Sequence, residues 1–177
     1  DQYFSPFSEN HDVTRLATEV KKDMDSLKLG AGILMTWIGT PYLYYGQEIG
    51  VNGQFNPMNW DNSETAGFTT GEPWTRIDDE EDPHNVEYQM AKEDSLWHLY
   101  RKLIAFRKAT PAMRRGGFVY AKPEDKELLS YIRTGTNESY LIIANFSSEP
   151  IKSSISFERT DLNPTNVYPL ERLILRY

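Results

Sequence analysis

Four polar side chains with complementary chemistry lie near the start of the chain. Asn10, His11 and Asp12 are consecutive, and Arg15 follows three residues later. Asp12 can accept from two hydroxyl groups and His11 can donate to one, while a guanidinium adds further donors. This combination suits the vicinal hydroxyls of a sugar ring. A structural alternative stays open, in which Asp12 caps the following helix and Arg15 pairs with it.

The flanking sequence predicts that a parallel strand positions these side chains. Residues 3–8 form a short aromatic strand candidate, residues 19–38 carry apolar side chains at roughly helical spacing, and residues 42–45 are typical of a buried strand. Strand, helix and strand in this order predict a right-handed βαβ unit. In a βα barrel, the carboxyl ends of the strands hold the active site.

The middle of the chain shows no regular period. Residues 47–94 are rich in Gly, Pro and acidic residues, yet their aromatic side chains indicate ordered packing. We expect Trp60 and Trp74 to pack within this loop, with stacking on sugar rings as the alternative. A helix capped by Asp94 or Ser95 should then continue to about Ala109.

Alternating apolar and polar residues after Gly116 predict a separate small β domain. The predicted strands cover residues 118–121, 127–133, 139–146, 151–157 and 170–177. A run of strands after βα units is typical of an appended antiparallel domain.

Composition excludes several function classes. The net charge of −7 and the pI of about 5.0 make nucleic acid a poor partner. No apolar run reaches the roughly 18 residues of a membrane span, so we expect no membrane partner. The chain has no cysteine, which excludes disulfides and thiolate–metal sites. His84 and His98 lack metal-ligand spacing, and we expect His84 to be solvated.

Several segments together resemble the α-amylase and α-glucosidase family of glycoside hydrolases. Residues 7–15, FSENHDVTR, resemble the family's Asn-His-Asp signature at barrel strand seven, and residues 39–50, GTPYLYYGQEIG, resemble strand eight. Residues 57–62 and 66–74 are similar to a loop of the oligo-1,6-glucosidase branch, and residues 95–107 resemble the final barrel helix. The order of these segments also agrees with the family.

The resemblance implies a fold and a set of site residues. Residues 1–112 would form the last two βα units of a (β/α)8 TIM barrel, and residues 113–177 an antiparallel β-sandwich. Asp12 would be the carboxylate that stabilises the transition state, and His11 would bind the same sugar. Arg15 would either bind substrate or only orient Asp12.

Other features depart from a complete family member. The signatures of the catalytic nucleophile and of the acid/base are absent, so we expect a C-terminal piece of a retaining hydrolase that is inactive alone. The branch's Arg before the Pro-Met motif is missing, because Phe55 and Asn56 precede Pro57. Asn59 replaces the usual Gln, and the link from Gly50 to Pro57 is short.

The resemblance also implies the partners. The substrate would be an α-glucan or α-glucoside, and the unpaired barrel elements predict self-association. We predict no metal site and no cofactor in this chain, and leave calcium open for a longer enzyme. Two alternatives remain: a non-catalytic carbohydrate-binding or packing module, and a relative of the amino-acid-transporter heavy chains.

Overall fold

The computed structural model describes residues 4–77, 84–157 and the backbone of 173–175. Five helices, a 3₁₀ turn at Gln47–Ile49 and five strands follow one another along these residues. No helix among them is long and apolar enough to cross a membrane. The helices are α1 (Leu16–Glu19), α2 (Met24–Thr36), α3 (Val86–Met90), α4 (Leu96–Ala109) and α5 (Pro111–Arg115).

The two strands predicted before and after the first helix are extended but do not form a regular ladder. The N–H of Thr40 donates to the carbonyl of Phe4, and that of Tyr42 to the carbonyl of Pro6, each over 2.9 Å. The pairing advances in the same direction on both segments, so they run parallel as predicted. A full parallel ladder would also need an N–H from Pro6 to Thr40, and proline has none. The prediction of regular strands is therefore wrong for residues 4–8 and 42–45, and Tyr3 lies outside the described residues.

The predicted helix at 19–38 is shorter in the structure: α2 covers Met24–Thr36, and α1 is a separate short helix at Leu16–Glu19. Lys21 and Lys22 adopt positive φ angles of 53° and 58°, which end the first helix. The Asp23 side chain then accepts from the N–H of Ser26 over 2.8 Å and caps the start of α2. Gly30 lets α1 approach α2, because a Cβ there would lie 2.7 Å from the Leu16 side chain.

Helix α4 covers the first helices and forms the core of this half. Ser95 caps it by accepting from the N–H of His98, which confirms one of the two predicted caps. The helix ends at Ala109, as predicted. The buried residues of this core come from α1, α2 and α4: Ala17, Leu27, Ala31, Met35, Leu96, Tyr100 and Leu103.

The described residues of the second half form one five-stranded sheet. Its strands are β1 (Gly117–Pro123), β2 (Leu128–Thr134), β3 (Ser139–Asn145), β4 (Ile155–Ser156) and β5 (Leu173–Leu175). Their order in the sheet is β4-β1-β2-β3-β5. Strands β1, β2 and β3 form an antiparallel meander, and β4 pairs antiparallel with β1.

Two details of the predicted β domain need correction. Strand β5 pairs with β3 in parallel, with Ile142 opposite Leu173, so the sheet is mixed. The described residues contain one sheet and no second sheet packed on it, so a sandwich is not confirmed. The sheet instead packs on helical elements through Met113, Tyr131 and Ile142. The parts of the predicted fifth strand at 170–172 and 176–177 lie outside the described residues.

Two buried arginines, one on α4 and one on the sheet, bind the C-terminal end of α2. Arg107 on α4 donates to the carbonyls of Met35, Trp37 and Gly39. Arg133 on β2 donates to the carbonyls of Thr36 and Trp37 over 2.9 and 2.8 Å. The carbonyls of Met35 and Thr36 belong to the last turn of α2, which lacks partners within the helix and carries its negative end, and this favours cations. Burial and the neighbouring Arg107 lower the pKa of Arg133 to about 10.

Candidate active site

The loop that carries His11 and Asp12 is held by Asn10. Its Oδ1 atom accepts from the N–H of Asp12 over 2.7 Å and from that of Val13 over 3.0 Å. His11 Nε2 lies 3.3 Å from Asp12 Oδ2, and the two side chains are 69% and 75% exposed. The loop therefore presents an imidazole and a carboxylate side by side to solvent, where a ligand can reach both.

A buried ion pair lies behind this loop. Arg15 Nη1 is 3.0 Å from Glu9 Oε1, and both side chains are almost fully buried. The guanidinium also donates to the carbonyls of Tyr45, over 2.7 Å, and Gly53, over 3.0 Å. It lies over the ring of Tyr44, 4.4 Å from the centroid, and over that of Tyr45 at 4.7 Å. Arg15 thus ties three separate segments together.

Glu9 takes the helix-capping role that the structural alternative assigned to Asp12. Its Oε2 atom accepts from the N–H of Leu16, at the first turn of α1, over 2.8 Å. Burial raises the pKa of the Glu9 carboxyl, while the bond from Leu16 and the charge of Arg15 oppose that shift. Glu9 accepts from the first turn of α1 and pairs with Arg15, so Asp12 makes neither contact and its carboxylate stays exposed.

Gln47 connects the end of the first extended segment to α4. Its Nε2 atom donates to Ser8 Oγ over 2.7 Å and to the Tyr100 hydroxyl over 2.8 Å. Burial raises the pKa of Tyr100, so this hydroxyl stays protonated. A second side chain, Gln54, donates to the carbonyl of His11. Gln54 therefore holds the His11–Asp12 loop directly, and Gln47 holds Ser8 shortly before it.

An aromatic cleft opens beside this framework, with a volume of about 480 Å³. Tyr45, Trp60, Phe68 and Trp74 contribute rings to it, and Glu48 contributes a carboxylate. Trp60 is 49% exposed and Trp74 is 68% exposed, so neither lies in the core. The expectation that both tryptophans pack inside the protein does not agree with this exposure.

The structure separates the residues predicted for the site. His11 and Asp12 lie together at the surface, whereas Arg15 is fully buried and contacts Glu9 instead. The expectation of a solvated His84 is wrong: this residue is buried, and its Nδ1 atom lies 3.2 Å from the carbonyl of Ile49. Within residues 4–77 and 84–157, no group of three potential ligands could hold a metal ion.

Sequence reasoning does not identify Glu9 as the partner of Arg15. The predicted partner, Asp12, lies three residues away, which is the spacing of neighbours on a helix. Residues 10–15 are not helical, so the chain instead brings Glu9 into contact from six residues away. The role of Gln47 has a weak signal in the sequence, since it directly follows a predicted strand and its glycine.

The first two thirds of the chain match a known family. Residues 1–116 match the family model described as the catalytic domain of α-amylase. The chain belongs to the α-amylase family. Oligo-1,6-glucosidase of Bacillus cereus is 28% identical over 222 aligned residues, which cover 94% of this chain and 40% of the relative. Trehalose-6-phosphate hydrolase of Escherichia coli strain K12 is 30% identical, over 79% of this chain and 34% of that protein.

Solved structures show the same relationship for the fold of this α-amylase family member. Isomaltulose synthase from a Klebsiella species matches with a TM-score of 0.78 and 26% identity, over 84% of this chain and 35% of that one. The resemblance to the oligo-1,6-glucosidase-like branch is confirmed, and the curated relatives are glycoside hydrolases. The chain spans 40% or less of the length of these relatives.

Proposed function

We propose that this chain supplies the transition-state-stabilising part of a retaining α-glycoside hydrolase that acts on α-linked glucose oligo- or polysaccharides. One observation carries the proposal. His11 and Asp12, which match the family's signature residue by residue, are exposed side by side on a loop whose backbone Asn10 fixes. Both side chains are therefore accessible to a ligand.

Asp12 and His11 would bind one sugar ring through its hydroxyl groups. The Asp12 carboxylate accepts hydrogen bonds from two hydroxyls, and His11 donates one or accepts one according to its protonation. Hydrogen bonds of this kind strengthen as the ring distorts towards an oxocarbenium-like transition state, and they supply several kcal/mol in glycosidases. The carboxylate is exposed, and Arg15 pairs with Glu9 instead of with Asp12, so Asp12 is well suited to accept from sugar hydroxyls.

Arg15 would act as a positioning residue and not as a substrate ligand. Its guanidinium is buried and donates to Glu9, Tyr45 and Gly53. These bonds hold the segments that lie behind the His11–Asp12 loop. The burial of Arg15 favours the orienting role, which was one of the two roles implied by the resemblance.

The chain alone would not hydrolyse a glycoside. Retaining glycosidases need a nucleophile and an acid/base about 5–5.5 Å apart, and the family's signatures for both are missing from the sequence. The relatives are more than twice as long as the matched region, which leaves room for both residues elsewhere in a longer polypeptide. Intact His11 and Asp12 favour a catalytic parent over a non-catalytic module or a transporter heavy chain.

The test compares two polypeptides on p-nitrophenyl α-glucoside. The 177-residue chain should release no p-nitrophenol above background, and a longer polypeptide that contains this sequence should turn over. In that polypeptide, Asp12→Asn should lower kcat/KM by about two orders of magnitude or more, because ~1.4 kcal/mol of lost transition-state binding is tenfold. Asp25→Asn, on the exposed side of α2, is the matched control and should retain activity. Full activity of the Asp12 variant would refute the proposed role.

A further inference from the structure

A cavity of about 420 Å³ is lined by α2, by α3 and by the residues that precede α4. Two lysines, a histidine, two apolar side chains and a carboxylate contribute to its lining: Lys28, Lys92, His84, Met24, Tyr88 and Asp94. The volume falls within the usual range of small-ligand sites, about 300–1,000 Å³. The described lining shares no residue with the His11–Asp12 loop or with the groups that support it. The cavity is therefore separate from the proposed sugar site.

The two lysines give this cavity a positive charge in an acidic chain, whose net charge is −7. Neither ammonium group forms an ion pair within residues 4–77 and 84–157. Lys28 is half-buried on α2, whereas Lys92 is exposed and its Nζ atom lies 5.5 Å from the centroid of the Tyr88 ring. An ammonium group has three donors and no acceptor, so the two lysines favour an anionic ligand.

Hydrogen bonds hold the walls of the cavity in place. The Gln89 side chain donates through Nε2 to the carbonyl of Ile49 over 2.8 Å and accepts at Oε1 from the N–H of Trp97 over 3.1 Å. His84 is buried, and its Nδ1 atom lies 3.2 Å from the same carbonyl of Ile49. The Ser95 hydroxyl donates to the carbonyl of Gln89 over 2.7 Å. Because these walls are ordered before a ligand arrives, binding costs less entropy.

The remaining lining residues narrow the class of anion. Asp94 is the one carboxylate among the described residues of the lining, and its charge opposes an anion. It directly precedes Ser95, the N-cap of α4, where the positive end of the helix dipole offsets part of that charge. The Asp94 carboxylate can also accept from hydroxyl groups of a ligand, while Met24 and Tyr88 offer an apolar surface to its carbon skeleton.

A phosphate group suits the two lysines better than a carboxylate does. A phosphate monoester carries a charge of about −1.5 to −2 at neutral pH and three strong acceptor oxygens. It can therefore accept from both ammonium groups at once through charge-assisted hydrogen bonds.

We propose that this cavity binds a phosphate monoester that also carries hydroxyl groups, such as a sugar phosphate. Lys28 and Lys92 hold the phosphate, and Asp94 accepts from the hydroxyl groups. The cavity and the His11–Asp12 loop share no residue, so this site does not depend on the function assigned to that loop.

Isothermal titration calorimetry of the 177-residue chain at low salt tests the site. Glucose 6-phosphate is the complete probe, inorganic phosphate supplies the charge alone, and glucose supplies the hydroxyl groups alone. Glucose 6-phosphate should bind more tightly than either of the other two probes. Added sodium chloride should weaken its binding, because salt screens exposed charges. If inorganic phosphate binds as tightly as glucose 6-phosphate, the hydroxyl groups contribute nothing and the assignment to a sugar phosphate is overturned.

Lysine variants locate the binding. Lys28→Gln and Lys92→Gln should each weaken glucose 6-phosphate about tenfold, the scale expected for loss of one charge-assisted contact. Lys92→Arg keeps the charge and should retain most of the affinity. Lys102→Gln is the matched control, because Lys102 is exposed on α4 and does not line the cavity. Circular dichroism of each variant verifies that the fold is intact.

The Asp12→Asn variant distinguishes the cavity from the proposed sugar site, and it should bind glucose 6-phosphate as wild type does. If this variant loses the ligand while the Lys28 and Lys92 variants bind it normally, the ligand occupies the His11–Asp12 loop and the cavity site is overturned. A wild-type chain that binds neither phosphate probe would overturn it as well. Neither result affects the hydrolysis test of the proposed function, which measures kcat/KM in a longer polypeptide.

Discussion

Replacing Arg15 by alanine should destabilise the chain far more than the loss of an ordinary surface arginine. The Arg15 side chain is fully buried and supplies donors to Glu9 Oε1 and to the carbonyls of Tyr45 and Gly53. Without it, the Glu9 carboxylate keeps the N–H of Leu16 and loses its counter-charge. The remaining carboxylate would then have to stay buried and poorly paired, take up a proton, or become exposed by a local rearrangement.

The magnitude follows from the burial of the pair. Removing one partner of a buried ion pair costs about 3–5 kcal/mol, because the other charge stays desolvated. The total stability of a domain is about 5–15 kcal/mol, so Arg15→Ala should bring the chain close to unfolding. An Arg15→Met, Glu9→Gln double variant should lose less than the sum of the two single variants, since neither charge is left buried alone.

Urea denaturation followed by circular dichroism measures these differences. Arg114 is exposed on α5, so Arg114→Ala is the control and should stay within about 0.5 kcal/mol of wild type. A loss below about 1 kcal/mol for Arg15→Ala, with an unchanged urea dependence, would refute the reasoning. Arg15 would then face solvent in the folded protein, and its role as a substrate ligand would regain support.

Two further predictions concern pH and assembly. Burial raises the pKa of Glu9 above its ordinary value of 4.5, so the folded state binds this proton more tightly than the unfolded state. The free energy of unfolding should therefore fall as pH rises from 4.5 through the folded pKa, and Glu9→Gln should remove that part of the slope in urea titrations at several pH values. Self-association is also expected, because Phe4 is 57% and Tyr42 66% exposed. Light scattering at micromolar concentration should show a dimer or larger species, and a cooperatively melting monomer would contradict it.

Helix α4 and the central strands were predictable because local signals act directly on them. Ser95 caps α4 by bonding within its own first turn, and the alternation of residues 128–145 produces paired strands. The parallel pairing of the early segments followed from the order of elements. The interruption at Pro6 was overlooked because a single missing N–H matters only when the partner segment and the register are known.

The exposed residues of the site could be predicted from the sequence, whereas the buried contacts behind them could not. His11 and Asp12 belong to one short motif, so the sequence places them together. The burial of Arg15 depends on carbonyl groups of Tyr45 and Gly53, which come from segments 30 or more residues away. Contacts between such distant segments produce no repeating pattern in the sequence near Arg15. The exposure of Trp60 and Trp74 was not predicted for the same reason. An aromatic-rich loop indicates packing, but its composition does not show which residues each ring contacts.

The two arginines at the end of α2 have a consequence for cutting and exchanging domains. Gly116 and Gly117 look like a natural place to divide the chain, and the family match itself stops at residue 116. Yet Arg133 lies on β2, beyond that point, and reaches back to the carbonyls of Thr36 and Trp37. A truncation after Gly116 would remove Arg133 and leave only Arg107 at the end of α2. A β domain taken from another protein would need an arginine at the position of Arg133 to restore these hydrogen bonds. Hydrogen bonds from the sheet to α2 therefore cross the position at which the family match ends.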